Sequence, residues 1–341
     1  MGETLCVAAF TGGRWVPGPR FRVRQYIPRL ERLGVEVSEF IARFESYPPA
    51  ESFLRPLWAV ATLAERLPAV ARSYRFDLTL LQREMVSTFV TLEPLTKRPR
   101  VLDVDDAIWL HPRGDFFRRL VGRCTGVLCG NAYIADVVSQ WNPQVRIVPT
   151  AVDTERFRPS PGARDHSRPV IGWSGLPSGF PYLLSIERPL AAVLQRNPEV
   201  RLRIVSRRYP PFEHVPRDKV EFVEWSENVE VETIQDMTIG LMPLDETPWC
   251  LGKCSYKMLL YMACGVPVVV SPFGMNAEVL AKGSVGLGPR TDDEWIDALE
   301  WLLEEPARAC EMGRTGRNVV LTHYGLDVVT PTLASSIKAF A

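Results

Sequence analysis

Short apolar runs alternate with helix-like stretches along the 341-residue chain, and this alternation constrains the fold more than any other feature. In the first half, six runs have the length and composition of buried strands: residues 5–10, 35–40, 77–82, 100–106, 126–130 and 145–149. Strands separated by helices are typical of βαβ units, in which helices cover both faces of a parallel sheet. We therefore predict an α/β fold with a doubly wound parallel sheet.

The pattern starts again after residues 159–169, a polar segment rich in proline and glycine that reads as a linker. Five further strands are predicted at residues 169–175, 201–206, 220–225, 238–244 and 267–271. We predict an N-terminal domain over 1–158, a C-terminal domain over 168–326, and a last helix at about 327–341 that packs back on the first domain. Two such domains favour a ligand site in the cleft between them, at the carboxyl ends of the strands.

Composition narrows the class of protein. No run approaches the ~20 apolar residues of a membrane span, and the N-terminus lacks the pattern of a secretory signal. The seven cysteines are an odd number without a C-x-x-C pair, which favours reduced thiols over a metal site. We expect a cytoplasmic protein.

The formal net charge is zero, with 40 basic and 40 acidic residues, and we expect no nucleic-acid partner. Residues 1–150 nevertheless carry 20 lysines and arginines against 15 aspartates and glutamates, a net charge of +5. This excess is either chance scatter over solvated faces or a surface for an anionic acceptor or the inner face of a membrane.

Two of only six lysines, Lys253 and Lys257, stand four residues apart where a helix over about 254–263 is predicted to begin. The first N–H groups of a helix lack intrahelical partners and lie at its positive end, so they bind phosphate. Lys253 adds a full charge there, and Lys257 is predicted to lie one turn further on the same face.

A second helix start follows the strand at 267–271. The glycine turn brings the backbone of Gly274 and Met275 to the same sheet edge, and Asn276 is predicted to cap the next helix. Two neighbouring helix starts suit a diphosphate. The alternative is a plain βαβ unit whose glycines only turn corners; the lysine pair favours the phosphate interpretation.

Three stretches, residues 147–159, 170–190 and 240–280, together resemble retaining nucleotide-sugar glycosyltransferases of the GT-B fold, family 4. The resemblance implies two Rossmann-like domains facing across a cleft. It also implies transfer of a sugar from a nucleotide diphosphate sugar with retention at the anomeric carbon, and no tightly bound metal or other cofactor. Cationic side chains and helix ends would then neutralise the departing diphosphate. By contrast, neither domain's first strand leads into the G-x-G-x-x-G of nicotinamide dehydrogenases.

The sequence departs from this family at two positions. Members usually carry two glutamates eight residues apart, near the donor sugar and at the ribose, and these align with Gly252 and Leu260. The missing carboxylates suggest one alternative function, a catalytically impaired scaffold that partners another transferase. A sugar-nucleotide epimerase is a second alternative that stays open.

Further candidates follow the predicted strands. By resemblance, Ser174 and Gly175 would hold the donor and Gly13 and Arg20 would lie beside its phosphates, while Arg207 could meet the base or a phosphate. Arg20 could equally belong to a solvated arginine face with Arg22 and Arg24.

Asp103, Asp105 and Asp106 cluster at a strand end, where carboxylates raise one another's pKa. We predict Asp105 or Asp106 as a base toward an acceptor hydroxyl, with His111 beside them. Metal binding or helix capping by these aspartates remains open. The predicted function is metal-independent glycosyl transfer to a carbohydrate, lipid-linked or small-molecule hydroxyl, in surface polysaccharide, glycolipid or metabolite glycosylation.

Overall fold

A computed structural model describes residues 4–14, 16–44, 48–49, 51–111, 114–162 and 167–341. Two compact units divide the chain: the first holds residues 1–151, 252–254 and 326–341, and the second holds 152–251 and 255–325. Part of the predicted linker, residues 163–166, lies outside the described residues.

Each unit contains one parallel six-stranded sheet. The strands in chain order are β1 (Leu5–Thr11), β2 (Val35–Ile41), β3 (Leu78–Gln82), β4 (Arg100–Val104), β5 (Gly126–Cys129), β6 (Val145–Ile147), β7 (Val170–Ser174), β8 (Arg201–Ser206), β9 (Val220–Glu224), β10 (Ile239–Met242), β11 (Val268–Val270) and β12 (Gly286–Leu287). The order in the first sheet is β2-β1-β3-β4-β5-β6, and in the second it is β12-β11-β10-β7-β8-β9.

Helices connect the strands in both units. They are α1 (Pro17–Arg22), α2 (Ile27–Arg32), α3 (Arg55–Ser73), α4 (Asp115–Val121), α5 (Ala132–Ser139), α6 (Phe180–Leu184), α7 (Glu187–Arg196), α8 (Glu230–Gln235), α9 (Pro248–Leu251), α10 (Tyr256–Ala263), α11 (Gly274–Leu280), α12 (Asp292–Glu304), α13 (Pro306–His323) and α14 (Leu326–Lys338). None of the described helices is long and apolar enough to cross a bilayer.

The strands form because their β-branched and leucine side chains are buried on both faces, as β3, β4 and β7 show along their whole lengths. In the first unit, Val7, Leu78 and Val101 pack with Leu333 and Ile337 of α14. The last helix therefore belongs to the core of the first sheet. The two doubly wound sheets confirm the predicted fold class.

In the second unit, Ile171, Ile204 and Leu241 of the sheet pack with Leu190 of α7 and Leu299 of α12. A capping box stabilises the start of α12: the Thr291 side chain accepts from the Glu294 N–H, and the Glu294 side chain accepts from the Thr291 N–H. Strand β12 was not predicted, because a two-residue strand has no periodicity to detect.

Candidate functional site

The strand order creates a topological switch point in the second unit. Strands β7 and β10 are neighbours, but the chain leaves β7 toward β8 and leaves β10 toward β11 on the other side. In open α/β sheets, ligands bind beyond the carboxyl ends of the strands at such a point. Ser174 ends β7 and Gly175 follows it, so both predicted residues lie at the switch point.

Lys257 lies close to this edge of the sheet. Its Nζ is 5.3 Å from the centroid of the buried Trp173 ring. Lys257 passes close to two glycines. If Gly175 carried a Cβ, that atom would lie 2.7 Å from Lys257 Cε, and a Cβ on Gly179 would lie 3.8 Å from Lys257 Nζ. Lys257 is the second residue of α10, so its ammonium and the first-turn N–H groups form one positive helix end. This arrangement can bind an anion.

Lys253 has different surroundings. Helix α10 begins at Tyr256 rather than at about residue 254, so the prediction that both lysines share one helix face was wrong. Lys253 belongs to the first unit, where its Nζ lies 3.1 Å from Asp106 Oδ1. The Asn131 side chain, which caps α5 by accepting from the Ile134 N–H, donates to the Lys253 carbonyl at 3.2 Å.

The reason for the late helix start is Ser255, which has a left-handed φ of +51°. A residue in this region interrupts a right-handed helix, and it is strained when it is not glycine. The buried Ser255 hydroxyl donates to Asn276 Oδ1 at 2.7 Å. Asn276 Nδ2 lies within hydrogen-bonding distance of the carbonyls of Met242 and Ser271, at 3.3 and 3.1 Å. Asn276 thus ties the start of α10 to the ends of β10 and β11.

The prediction that Asn276 caps a helix was also wrong. Helix α11 begins two residues earlier, at Gly274, and Phe273 at its N-cap makes no side-chain cap. Gly274 has a φ of +52°, which favours glycine. The Asn276 N–H already donates to the Phe273 carbonyl at 3.2 Å. The backbone N–H groups of Gly274 and Met275 are therefore the candidates in this turn for binding a ligand.

The other residues of interest in the second unit lie after β8 and within α10. Arg207 is exposed, and its guanidinium carbon lies 5.8 Å from the Trp225 ring centroid. The Ser206 Oγ before it, which was not predicted, is buried without a hydrogen-bond partner in the described structure. Leu260, where the family carries a glutamate, is buried among apolar residues.

In the first unit, the three aspartates after β4 have three different environments. Asp103 is buried and accepts from Arg22, whose Nε lies 3.0 Å from Oδ2. Asp106 accepts from Lys253, and Arg83 Nη1 lies 3.5 Å from its Oδ2. Arg22 therefore does not belong to a solvated arginine face. It is buried and holds Asp103 at the end of β4.

Asp105 lies between these two pairs. Its Oδ1 is enclosed and has no hydrogen-bond partner among the described residues, although part of the residue stays exposed. Burial, and then the Asp106 charge, raise the pKa of Asp105 to about 6, against the opposing effect of Arg83 and Arg22. The expected mutual effect of the carboxylates is confirmed for Asp105, but burial is the larger cause. A carboxylate with this pKa can act as a base near neutral pH.

The other predicted residues of the first unit lie in nearby loops and in α1. His111 ends the short helical turn Ile108–Leu110 and is half-buried. Gly13 is buried in the loop between β1 and α1, and the Arg20 guanidinium lies 4.7 Å from the Phe21 ring centroid. Arg24 pairs with Glu39 at 2.8 Å.

Two other observations concern possible ligand sites elsewhere in the described structure. Within the described ranges, no group of three or more His, Cys, Asp or Glu side chains is placed to hold a metal ion.

A surface cavity of about 640 Å³, lined by Val170, Arg201 and Glu221 among others, opens at the amino ends of β7, β8 and β9. This is the sheet edge opposite to Ser174 and Gly175, so we do not assign the cavity to the anion site.

Residues 171–305 match the family model described as glycosyl transferases group 1. No curated protein sequence matches the chain significantly. Among solved structures, sucrose-phosphate synthase from Thermosynechococcus elongatus is similar with a TM-score of 0.76, 17% identity and 98% coverage of each chain.

Two further structures are similar over nearly their whole length. Anabaena HepE, in complex with UDP and glucose, has a TM-score of 0.70 and 15% identity, covering 98% of this chain and 100% of its own. WaaG, a glycosyltransferase involved in lipopolysaccharide biosynthesis, has a TM-score of 0.68 and 13% identity, covering 97% and 99%.

The family resemblance seen in the sequence is therefore confirmed. The chain has two Rossmann-like units as in GT-B glycosyltransferases, and residues 171–305 of its second unit match the model of glycosyl transferases group 1.

Proposed function

We propose that this protein is a retaining glycosyltransferase that moves a sugar from a nucleotide diphosphate sugar to a hydroxyl acceptor. The observation that carries the proposal is Lys257 at the positive end of α10, beside Trp173 and Gly175 at the β7/β10 switch point. A glycosyl transferases group 1 domain covers this site. Because HepE binds UDP-glucose, we take UDP-glucose as the first donor to test.

The donor site that we propose divides into two parts. Lys257, the first-turn N–H groups of α10 and the backbone of Gly274 and Met275 hold the diphosphate. The rest of the donor meets Ser174, Gly175 and Arg207, and Asn276 acts by fixing the start of α10. This assignment is supported by the burial of Asn276 and its bonds to two strand ends.

The acceptor site that we propose lies in the first unit. Asp105 or Asp106 accepts the proton of the acceptor hydroxyl, and His111, Gly13 and Arg20 contribute from the neighbouring loops. In the reaction, the acceptor oxygen bonds to the anomeric carbon while the bond from that carbon to the diphosphate oxygen breaks. The acceptor's proton goes to the aspartate or to the leaving diphosphate. In this single-step transfer, retention requires the acceptor to attack from the leaving-group face.

We propose further that the reaction needs no divalent metal, because the cations and helix end do the neutralisation. The test is transfer or slow hydrolysis of UDP-glucose with EDTA and with added Mg²⁺, with the anomeric configuration of the first product read by NMR. Equal rates under both conditions and an α-configured product support the proposal. Strict metal dependence or an inverted product contradicts it.

Two other functions would give different results in the same experiment. The buried Leu260 leaves no carboxylate at the family's ribose position, which is the observation that favours a scaffold. A scaffold binds no nucleotide in a thermal-shift panel. An epimerase changes the donor sugar without releasing it and needs no acceptor.

We propose a cytoplasmic location with peripheral membrane contact through the first unit, in glycosylation of a surface polysaccharide, a glycolipid or a metabolite. Phe53, in the helical turn before α3, and Leu57, in the first turn of α3, are 77% and 71% exposed, and residues 1–150 as a whole carry a net charge of +5. Exposed apolar side chains on a unit with a net positive charge suit the surface of an anionic bilayer. Co-sedimentation with anionic but not neutral vesicles, lost on Phe53→Ser with Leu57→Ser, is expected; equal binding of the variant would contradict it.

A further inference from the structure

Gln82 is a buried polar residue that the proposed reaction does not use. It is the last residue of β3 and is 3% exposed. Its Nε2 is enclosed and has no hydrogen-bond partner among the residues that the structure describes. A buried N–H that lacks a partner is costly, and native proteins rarely keep one without a ligand or water to receive it.

The position of Gln82 in the sheet is that of a ligand site. Strands β1 and β3 are neighbours, but the chain leaves β1 toward β2 and leaves β3 toward β4 on the opposite side. The carboxyl ends of β1 and β3 are therefore the topological switch point of the first sheet. The Gln82 carboxamide stands at this point.

Gly18 in α1 leaves room for the carboxamide. A Cβ at position 18 would lie 3.0 Å from Gln82 Nε2, closer than most Cβ contacts, and at an ordinary van der Waals distance of 3.6 Å from its Cδ. A side chain at position 18 would therefore require the amide to shift by a few tenths of an ångström.

The neighbouring strand supplies a second polar atom without a partner. Asp103 stands opposite Gln82 in the strand register, and Asp105 follows two residues later, roughly 7 Å along an extended chain. Asp105 Oδ1 is enclosed without a hydrogen-bond partner.

The cations around Asp105 already pair with its neighbours. Arg22 pairs with Asp103, and Arg83 and Lys253 pair with Asp106. Just after β3 and β4, the described residues thus leave an amide N–H on Gln82, which donates, and carboxylate oxygens on Asp105 and Glu84, which accept.

We propose that Gln82 and Asp105 bind adjacent hydroxyls of an uncharged sugar ring, and that this subsite selects neutral glycosyl acceptors over phosphorylated or carboxylated ones. A hydroxyl both accepts from the amide and donates to the carboxylate, whereas a phosphate or carboxylate repels the Asp105 charge. The inference rests on the proposed glycosyl transfer and names its acceptor class.

The test is direct binding of methyl glycosides of glucose, galactose, mannose and N-acetylglucosamine to the full chain, measured by saturation-transfer NMR. Methyl glucuronide and glucose 6-phosphate are the charged counterparts. At least one neutral glycoside is expected to bind, at least tenfold more tightly than both charged sugars. Gln82→Met should weaken that binding at least tenfold, while exposed Gln140→Met leaves it unchanged.

A second measurement separates this role from a structural one. Because Gln82→Met removes a donor that has no partner, it should raise Tm in the absence of sugar. No binding of any neutral glycoside, equal binding of the charged sugars, or unchanged binding by Gln82→Met overturns the inference. UDP binding, followed separately by calorimetry, distinguishes failure of the acceptor subsite from failure of the proposed transferase.

Discussion

Lys253 Nζ lies 3.1 Å from Asp106 Oδ1, whereas Lys257 lies over the ring of Trp173. The two lysines that the sequence presents as a pair therefore have different partners. The charge of Lys253 is shared with a carboxylate of the first unit, so we assign the larger part in diphosphate binding to Lys257.

The two ion pairs after β4 should contribute very differently to stability. The Arg22–Asp103 pair is almost fully buried, and removing one partner of such a pair costs about 3–5 kcal/mol. The Lys253–Asp106 pair is about one-quarter exposed on each side, and pairs of that kind contribute about 0–1 kcal/mol. Urea unfolding of Asp103→Ala and Asp106→Ala should show this difference; equal losses would contradict the assignment of Arg22 as a structural residue.

The raised pKa of Asp105 predicts how the stability of the folded protein changes with pH. The pKa is raised from 3.8 to about 6 in the folded state. Between pH 3.8 and pH 6, Asp105 therefore loses its proton more readily in the unfolded chain than in the folded protein. Ionisation of Asp105 therefore lowers the stability of the folded state as pH rises, with the full effect above about pH 6.

The matched variant for this prediction is Asp105→Asn, which cannot ionise. Its free energy of unfolding relative to the natural protein should increase from pH 4 to pH 6 and then stay level. If the difference between the two proteins does not change with pH, Asp105 does not have a raised pKa.

The Ser255–Asn276 hydrogen bond should hold the start of α10. Ser255→Ala loses this bond but keeps the left-handed backbone, whereas Ser255→Gly loses the bond and relieves the strain. We expect Ser255→Gly to be more stable than Ser255→Ala by about 1 kcal/mol. Exposed Ser185→Ala is the control; the reverse order at position 255 would contradict the strain.

Gly175→Ala should displace Lys257. The new Cβ would lie 2.7 Å from Lys257 Cε and 2.8 Å from the Trp173 ring, so one of these groups must move. We expect lower UDP affinity by calorimetry and a stability loss of about 1–3 kcal/mol. Gly162→Ala, which meets no atom within 4 Å in the described structure, is the control. If UDP affinity is unchanged in Gly175→Ala, neither Gly175 nor Lys257 belongs to the UDP site.

Much of the fold could be predicted because apolar runs with turn residues between them mark buried parallel strands. Eleven strands were predicted, each within two residues of its observed ends. The start of α10 was misplaced because Ser255 adopts a left-handed conformation that no sequence pattern announces. Asn276 was misassigned for a related reason: its partners come from β10, β11 and Ser255, which only the fold brings together.

Gln82 shows the limit of sequence reasoning most clearly. A glutamine at the end of an apolar run looks like an ordinary strand residue. Its importance depends on the strand order, which places β3 beside β1 and so makes a switch point there. Strand order is a non-local property, and hydrophobic periodicity does not encode it.

The central claim is that Lys257 and the start of α10 bind a diphosphate. Lys257→Met keeps a long side chain over Trp173 but removes the charge. In titration calorimetry, its affinity for UDP should fall about tenfold to a hundredfold, the range of one charged hydrogen bond, while weak binding of uridine stays within about twofold. An equal loss for UDP and uridine, or no loss for either, would contradict the account.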